Sequence, residues 1–382
     1  MDRGEQGATS AVGAGRRGVR RRGIGVRGAA AVASLAVALL PGVAGGAGLT
    51  WTARNVPAVK NFPVHYASCS GKGCVVLASE CAPGGCGGLS PMLPFSSAND
   101  GVSWSKGSFP AGGGGATSLS CGSPTFCVAS GIKGPLGPRE SAALFVTTNA
   151  GRSFTVHPER DTLAAVACGT AQACVALGTL KGATTSFTNT GLVTSDGGRS
   201  WTTSSFPPGR GYVESMSCGA PTDCVAVGSN TTATSAIVFV SSNVGRSWTP
   251  ITVPASIRGL GKLSCDRATC IALGGTNQIV VSKNGGRSWV VHPLPTTGNF
   301  DAVSCMSATV CVLAGDHLTT PPTPDVLVSH NGGASWAPQA LPHEDGTLFG
   351  ATCEPTVCVA VGARYTYQGG IATAEFPLVL TG

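Results

Sequence analysis

The residues of this chain whose type and spacing could most directly do chemistry are its cysteines. Fourteen of the sixteen fall into seven pairs with four or five residues between partners: Cys69 with Cys74, Cys121 with Cys127, Cys168 with Cys174, Cys218 with Cys224, Cys265 with Cys270, Cys305 with Cys311, and Cys353 with Cys358. An eighth pair, Cys81 with Cys86, stands outside this rhythm. Each repeated pair brackets a short polar run such as GAPTD and leads into an apolar run such as CVAVG, the pattern of two strands joined by a tight turn. Cysteines flanking such a turn face each other across the hairpin, with Cα atoms expected near the ~5.5 Å that a disulfide prefers. Zinc sites usually combine short C-x2–4-C spacings with a second pair converging on the same ion, whereas blades set their hairpins far apart around a ring. Eight disulfides, no metal and an oxidising compartment are therefore expected.

The second set is polar. Only 11% of the residues are charged, so local clusters carry weight. Glu159, Arg160 and Asp161 form one, Arg210, Tyr212 and Glu214 another, and Arg258, Asp301, His343, Glu344 and Asp345 follow; Arg139, Glu140, Asp316, His317, Arg364, Tyr365 and Tyr367 lie in other connecting segments. A guanidinium grips a carboxylate bidentately, and Tyr212 and Glu214, two apart on a strand, point to the same side. Arg210, Tyr212, Arg258 and His343 are the candidate ligand-binding residues, against the plainer reading of solvated loop polarity. No H-E-x-x-H, P-loop or G-x-S-x-G element stands in chemical context, and no cofactor is expected.

What positions these residues is a repeated eight-residue box. It reads SANDGVSW at Ser97–Trp104, TTNAGRSF at Thr147–Phe154, TSDGGRSW at Thr194–Trp201, SSNVGRSW at Ser241–Trp248, SKNGGRSW at Ser282–Trp289 and SHNGGASW at Ser329–Trp336. Counting from Trp51, the closing aromatic returns every 41 to 53 residues. The Asp or Asn at position three can accept backbone N–H bonds, and the Gly at position five can take positive φ, which together tighten a turn. The Trp begins the next strand and fills space between repeats. Such a period, with glycine turns and one aromatic per unit, is the mark of a β-propeller whose repeats are four-stranded antiparallel blades. Asp196 with its two glycines lacks the oxygen series of a calcium loop, and Arg152, Arg199, Arg246 and Arg287 at position six read as exposed turn residues.

The boxes resemble the Asp-box, or BNR, repeat of sialidases and of many non-enzymatic propellers. The wider unit, CVAVG followed by a strand and then SDGGRSW, also resembles the repeat of photosystem II stability and assembly factors. In those families the box is a structural turn remote from the ligand site. The sialidase resemblance implies a Tyr nucleophile activated by Glu and an Arg clamp, here Tyr212, Glu214, Arg210, Arg258 and Arg364. Those enzymes carry an Arg-Ile-Pro motif before the first box, whereas no Arg occurs between Asn55 and Pro138. The primary expectation is a non-catalytic module that binds a protein or glycan. A sialidase-like hydrolase and an assembly factor are the alternatives.

Seven Cys units against six complete boxes predict a blade split between the chain ends. Phe376–Thr381 (FPLVLT) matches a strand entering a box, and GLTWT at residues 48–52 matches the exit. The expected fold is all-β, a seven-bladed β-propeller over residues 48–382 with the N-terminal strand closing the ring. Disulfide turns and boxes fall on one face. The connections from second to third strand, and from each blade to the next, fall on the other, where binding residues usually sit.

Residues 1–47 run from a basic stretch (Arg16 to Arg27) through an apolar run (Gly28–Val43) to small residues, the order of a signal peptide, with an uncleaved membrane anchor as the alternative. Export to the outside or the cell envelope follows. This segment also holds +5 of the formal +7 charge, leaving 18 basic and 16 acidic residues elsewhere, so a nucleic-acid partner is not indicated. A monomer is expected.

Overall fold

The computed structural model describes residues 49–57, 60–79, 92–110, 113–134, 141–179, 189–207, 211–274, 278–294, 298–368 and 371–382. The N-terminal leader and the pair expected between Cys81 and Cys86 lie outside the described residues. Seven four-stranded antiparallel sheets form a seven-bladed β-propeller, with no helix among the described residues. The innermost strands are Val64–Ser70, Gly113–Cys121, Thr162–Cys168, Tyr212–Cys218, Leu260–Asp266, Asn299–Cys305 and Gly346–Glu354, each touching the next and the last touching the first. We number the blades 1 to 7 in that order and their strands A to D outward. Blade 4 is typical: Tyr212–Cys218, Cys224–Ser229, Ala236–Ser241 and Thr249–Ile251.

Blade 7 is the split one. Its outer strand is Thr52–Ala53, with Thr52 opposite Thr381 and Ala53 opposite Leu380. Its middle strands, Val357–Gln368 and Ile371–Thr381, run longer than those of other blades. Arg364, Tyr365 and Tyr367, expected in a loop, therefore belong to this hairpin, paired with Phe376, Glu375 and Ala372.

The box makes the same hydrogen bonds in every complete copy. In blade 4, Ser241 Oγ accepts from the Gly245 and Asn243 N–H groups and donates to Asn243 Oδ1, which also accepts from the Ser247 N–H. Gly245 has φ 76°, and a Cβ there would lie 2.5 Å from Val175 of blade 3. The glycine thus serves the turn and the close approach of two blades together. Trp248 packs into the same interface with Val175, Leu177 and Phe239, and each other box aromatic joins the core between its own blade and the preceding one.

Seven disulfides close the A–B hairpins of the seven blades. In blade order they join Cys69 to Cys74, Cys121 to Cys127, Cys168 to Cys174, Cys218 to Cys224, Cys265 to Cys270, Cys305 to Cys311, and Cys353 to Cys358. Their Cα separations are 3.9–4.1 Å, which corrects the ~5.5 Å expected from the usual disulfide. The partners sit directly opposite one another in the ladder, as Cys218 and Cys224 do, so cross-strand pairing sets the distance. A second device ties the inner ring. The hydroxyl just before the first Cys of a blade accepts the N–H of the first Cys of the next blade: Ser68 from Cys121, Ser120 from Cys168, Ser217 from Cys265, Ser264 from Cys305, Ser304 from Cys353 and Thr352 from Cys69. Blade 3 carries Ala167 at this position.

Candidate functional site

Strand A of every blade carries a β-bulge four residues before its first Cys, at His65, Thr117, Ala164, Glu214, Gly261, Asp301 and Phe349. A bulge breaks the alternation of side chains and re-aims one of them. Six of these residues line the central cavity, joined there by Lys262. His65 stacks on Phe349, with ring centroids 5.0 Å apart and planes 18° from parallel. Burial, then the Lys262 ammonium, pushes the His65 imidazole down from its ordinary pKa, which keeps it neutral at pH 7. His65, Lys262 and Phe349 escaped the sequence reading. For His65 and Phe349 the signal is positional, four residues before a Cys as at every bulge, whereas Lys262 stands one residue after the blade 5 bulge at Gly261.

Beside the channel, between blades 4 and 5, a cavity of about 580 Å³ opens on the face of the B–C loops and inter-blade links. It shares Glu214, Gly261 and Lys262 with the channel. The structure brings Tyr212, Glu214 and Arg258 together on its wall. Their neighbours include Phe300 and Leu273, both buried, which give an apolar surface. Glu214 Oε1 accepts a 2.7 Å bond from the Ser229 hydroxyl. The Gln278 Oε1 acceptor is buried without a hydrogen-bond donor. A mostly apolar surface with a few convergent polar groups is the usual make-up of a ligand pocket.

The remaining candidates lie elsewhere. Arg210 falls outside the described residues, as do Arg139 and Glu140. Arg364 does not line the cavity of Tyr212; it stands on blade 7, 3.7 Å from the Glu344 carboxylate. His343 is exposed beside a second cavity, of about 250 Å³, together with His317, Asp325 and Glu344. Glu159 is half-buried, and its pKa is raised by burial and by neighbouring Asp161. Arg152, Arg199, Arg246 and Arg287 are exposed in their turns on the opposite face.

No family model and no curated protein matches the chain. Solved structures do. The chain is similar to YCF48 bound to D1 peptide, with a TM-score of 0.58 and 12% identity over 87% of this chain and 98% of that one. It is likewise similar to YCF48 from Cyanidioschyzon merolae, with a TM-score of 0.57 and 11% identity over the same shares. At such identity the likeness defines the class by fold alone, a seven-bladed β-propeller.

Proposed function

We propose that this chain is an exported, non-catalytic propeller that binds a segment of a protein partner in the cavity between blades 4 and 5. The observation that carries this reading is the convergence there of Tyr212, Glu214, Arg258 and Lys262 around an apolar surface, with the Gln278 acceptor unpaired. An extended peptide offers what these groups need: an apolar side chain for Phe300 and Leu273, a carboxylate for the two cations, and an N–H donor for Gln278. That one structural neighbour is bound to a peptide supports a protein occupant, and a client in an assembly process is compatible with it. Seven disulfides together with the N-terminal order of basic, apolar and small residues support export.

Site-specific photo-crosslinking tests the reading. A photoreactive residue in place of Ala233, on the cavity wall, is expected to capture a defined protein band in the native host. Arg258→Ala with Lys262→Ala should remove that band without lowering the melting temperature. Capture that survives both substitutions overturns the assignment of this cavity.

One observation favours a second reading: Tyr212, Glu214 and Arg258 share a wall, as a hydrolase with a Tyr nucleophile requires. A panel of fluorogenic glycosides, sialosides included, decides it. No turnover is expected; turnover abolished by both Tyr212→Phe and Glu214→Gln would establish the hydrolase.

A further inference from the structure

The second cavity, between the outer part of blade 6 and the link into blade 7, has the opposite electrical character. Its acidic member is Asp325 on strand Thr323–Ser329, whose side chain is only 5% exposed. The Val326 N–H serves this carboxylate, but Oδ2 accepts no hydrogen bond. The nearest base, His317 Nε2, is 3.4 Å away and exposed, and completes an ion pair only when protonated. Glu344 lines the same space, with Arg364 Nη1 3.7 Å from its Oε2. Asp316, also buried, adds negative charge behind Asp325.

A buried carboxylate oxygen without a donor carries its desolvation cost uncompensated. Pro324, Pro338, Leu341 and Pro342 give the cavity a stiff apolar side, next to the polar Thr323, Gln339 and His343. An apolar sleeve ending in a carboxylate matches a side chain with a hydrocarbon stem and a cationic head. Among the described residues no three His, Cys, Asp or Glu side chains assemble as metal ligands, so a bare divalent ion does not fit the geometry.

We propose that this cavity is a socket for a lysine or arginine side chain of the partner, with the stem against the prolines and the head group on Asp325 Oδ2 and Glu344. The proposal rests on the protein-binding reading and adds partner chemistry to it. The same face presents a basic cavity at blades 4 and 5, with Arg258 and Lys262, and an acidic one at blades 6 and 7. The partner surface that fits both carries a basic side chain at one end and a carboxylate at the other.

The socket can be tested apart from the partner. The full chain, labelled with 13C at histidine Cε1, is titrated with N-acetyl-lysine methylamide and with its norleucine counterpart, which keeps the stem but lacks the ammonium. The His317 resonance is expected to move saturably with the lysine compound and not with norleucine, while His330, in a box on the opposite face, stays still. Asp325→Asn should abolish the response and leave the melting temperature unchanged or higher, since it removes an uncompensated buried charge. Glu344→Gln should weaken binding by about two- to fivefold, as a partly exposed ion pair would, and serves if Asp325→Asn does not fold. An unchanged titration in Asp325→Asn, an equal response to norleucine, no movement of His317, or a lowered melting temperature in Asp325→Asn overturns the socket. Arg258→Ala with Lys262→Ala should leave this titration intact, which separates failure of the socket from failure of the blade 4 and 5 cavity.

Discussion

The first residue of each box holds its turn together, and the consequence can be measured. Ser241 is buried and accepts two backbone N–H groups. Ser241→Ala strands both donors, and a loss of about 1–3 kcal/mol is expected by chemical denaturation. The converse case is Ala167, the position in the inner ring without a hydroxyl. Ala167→Ser supplies an acceptor aimed, by repeat equivalence, at the Cys218 N–H, and a gain of about 0.5–1.5 kcal/mol is expected. No gain would show that the blade 3 and 4 interface is spaced differently from the other six. Position three gives a pH test. It is Asn in five complete boxes and Asp196 in blade 3, where the Ser200 hydroxyl, then the Ser200 N–H and the Thr194 hydroxyl, hold the carboxylate well below its usual range. A depressed folded-state pKa stabilises above the unfolded value and is lost as pH falls through the folded one. Carboxyl NMR should therefore find Asp196 still ionised at a pH where exposed aspartates are protonated. Titration at an ordinary aspartate pKa would mean those bonds are absent in solution.

At the scale of the element, the A–B hairpin combines a disulfide with a bulge. The loop that the disulfide closes is short, so in the chain-entropy model each bridge contributes only ~2 kcal/mol. Replacing Cys218 and Cys224 together by Ala should lower stability by about that amount while the propeller still folds, because the A–B ladder and the Ser217 bond to the Cys265 N–H remain. Non-reducing peptide mapping should return the seven within-hairpin links. Links between blades would contradict the ladder register. The bulge has the larger effect on function, since it turns Glu214, Asp301, His65 and Phe349 into the channel.

For the whole molecule, closure is the decisive feature. Removal of residues 1–47 should leave the melting temperature unchanged, whereas removal of 1–58 deletes Trp51 and the strand opposite Leu380 and Thr381. That opens the last blade, leaves an unpaired edge prone to association, and costs about 3–5 kcal/mol for the buried indole alone. Equal melting temperatures would mean that the ring closes without this strand.

The blade count, the turns, seven of the eight expected disulfide pairs and the split blade were legible in the sequence. Each depends on interactions within a hairpin or on a repeated pattern: Ser241, Asn243 and Gly245 bond to one another inside five residues, and FPLVLT with GLTWT completes a pattern that six boxes had already set. The sequence also put Tyr212, Glu214 and Arg258 on one face. Packing between distant segments sets that these three share a wall while Arg364 turns to Glu344, and that Asp325, unremarked in the sequence, is a buried carboxylate with an unpaired oxygen. The reason is geometric. Local hydrogen bonds are written in adjacent residues, but a cavity between blades arises from bulges, loop lengths and packing between segments far apart in the chain, and no single repeat contains that information.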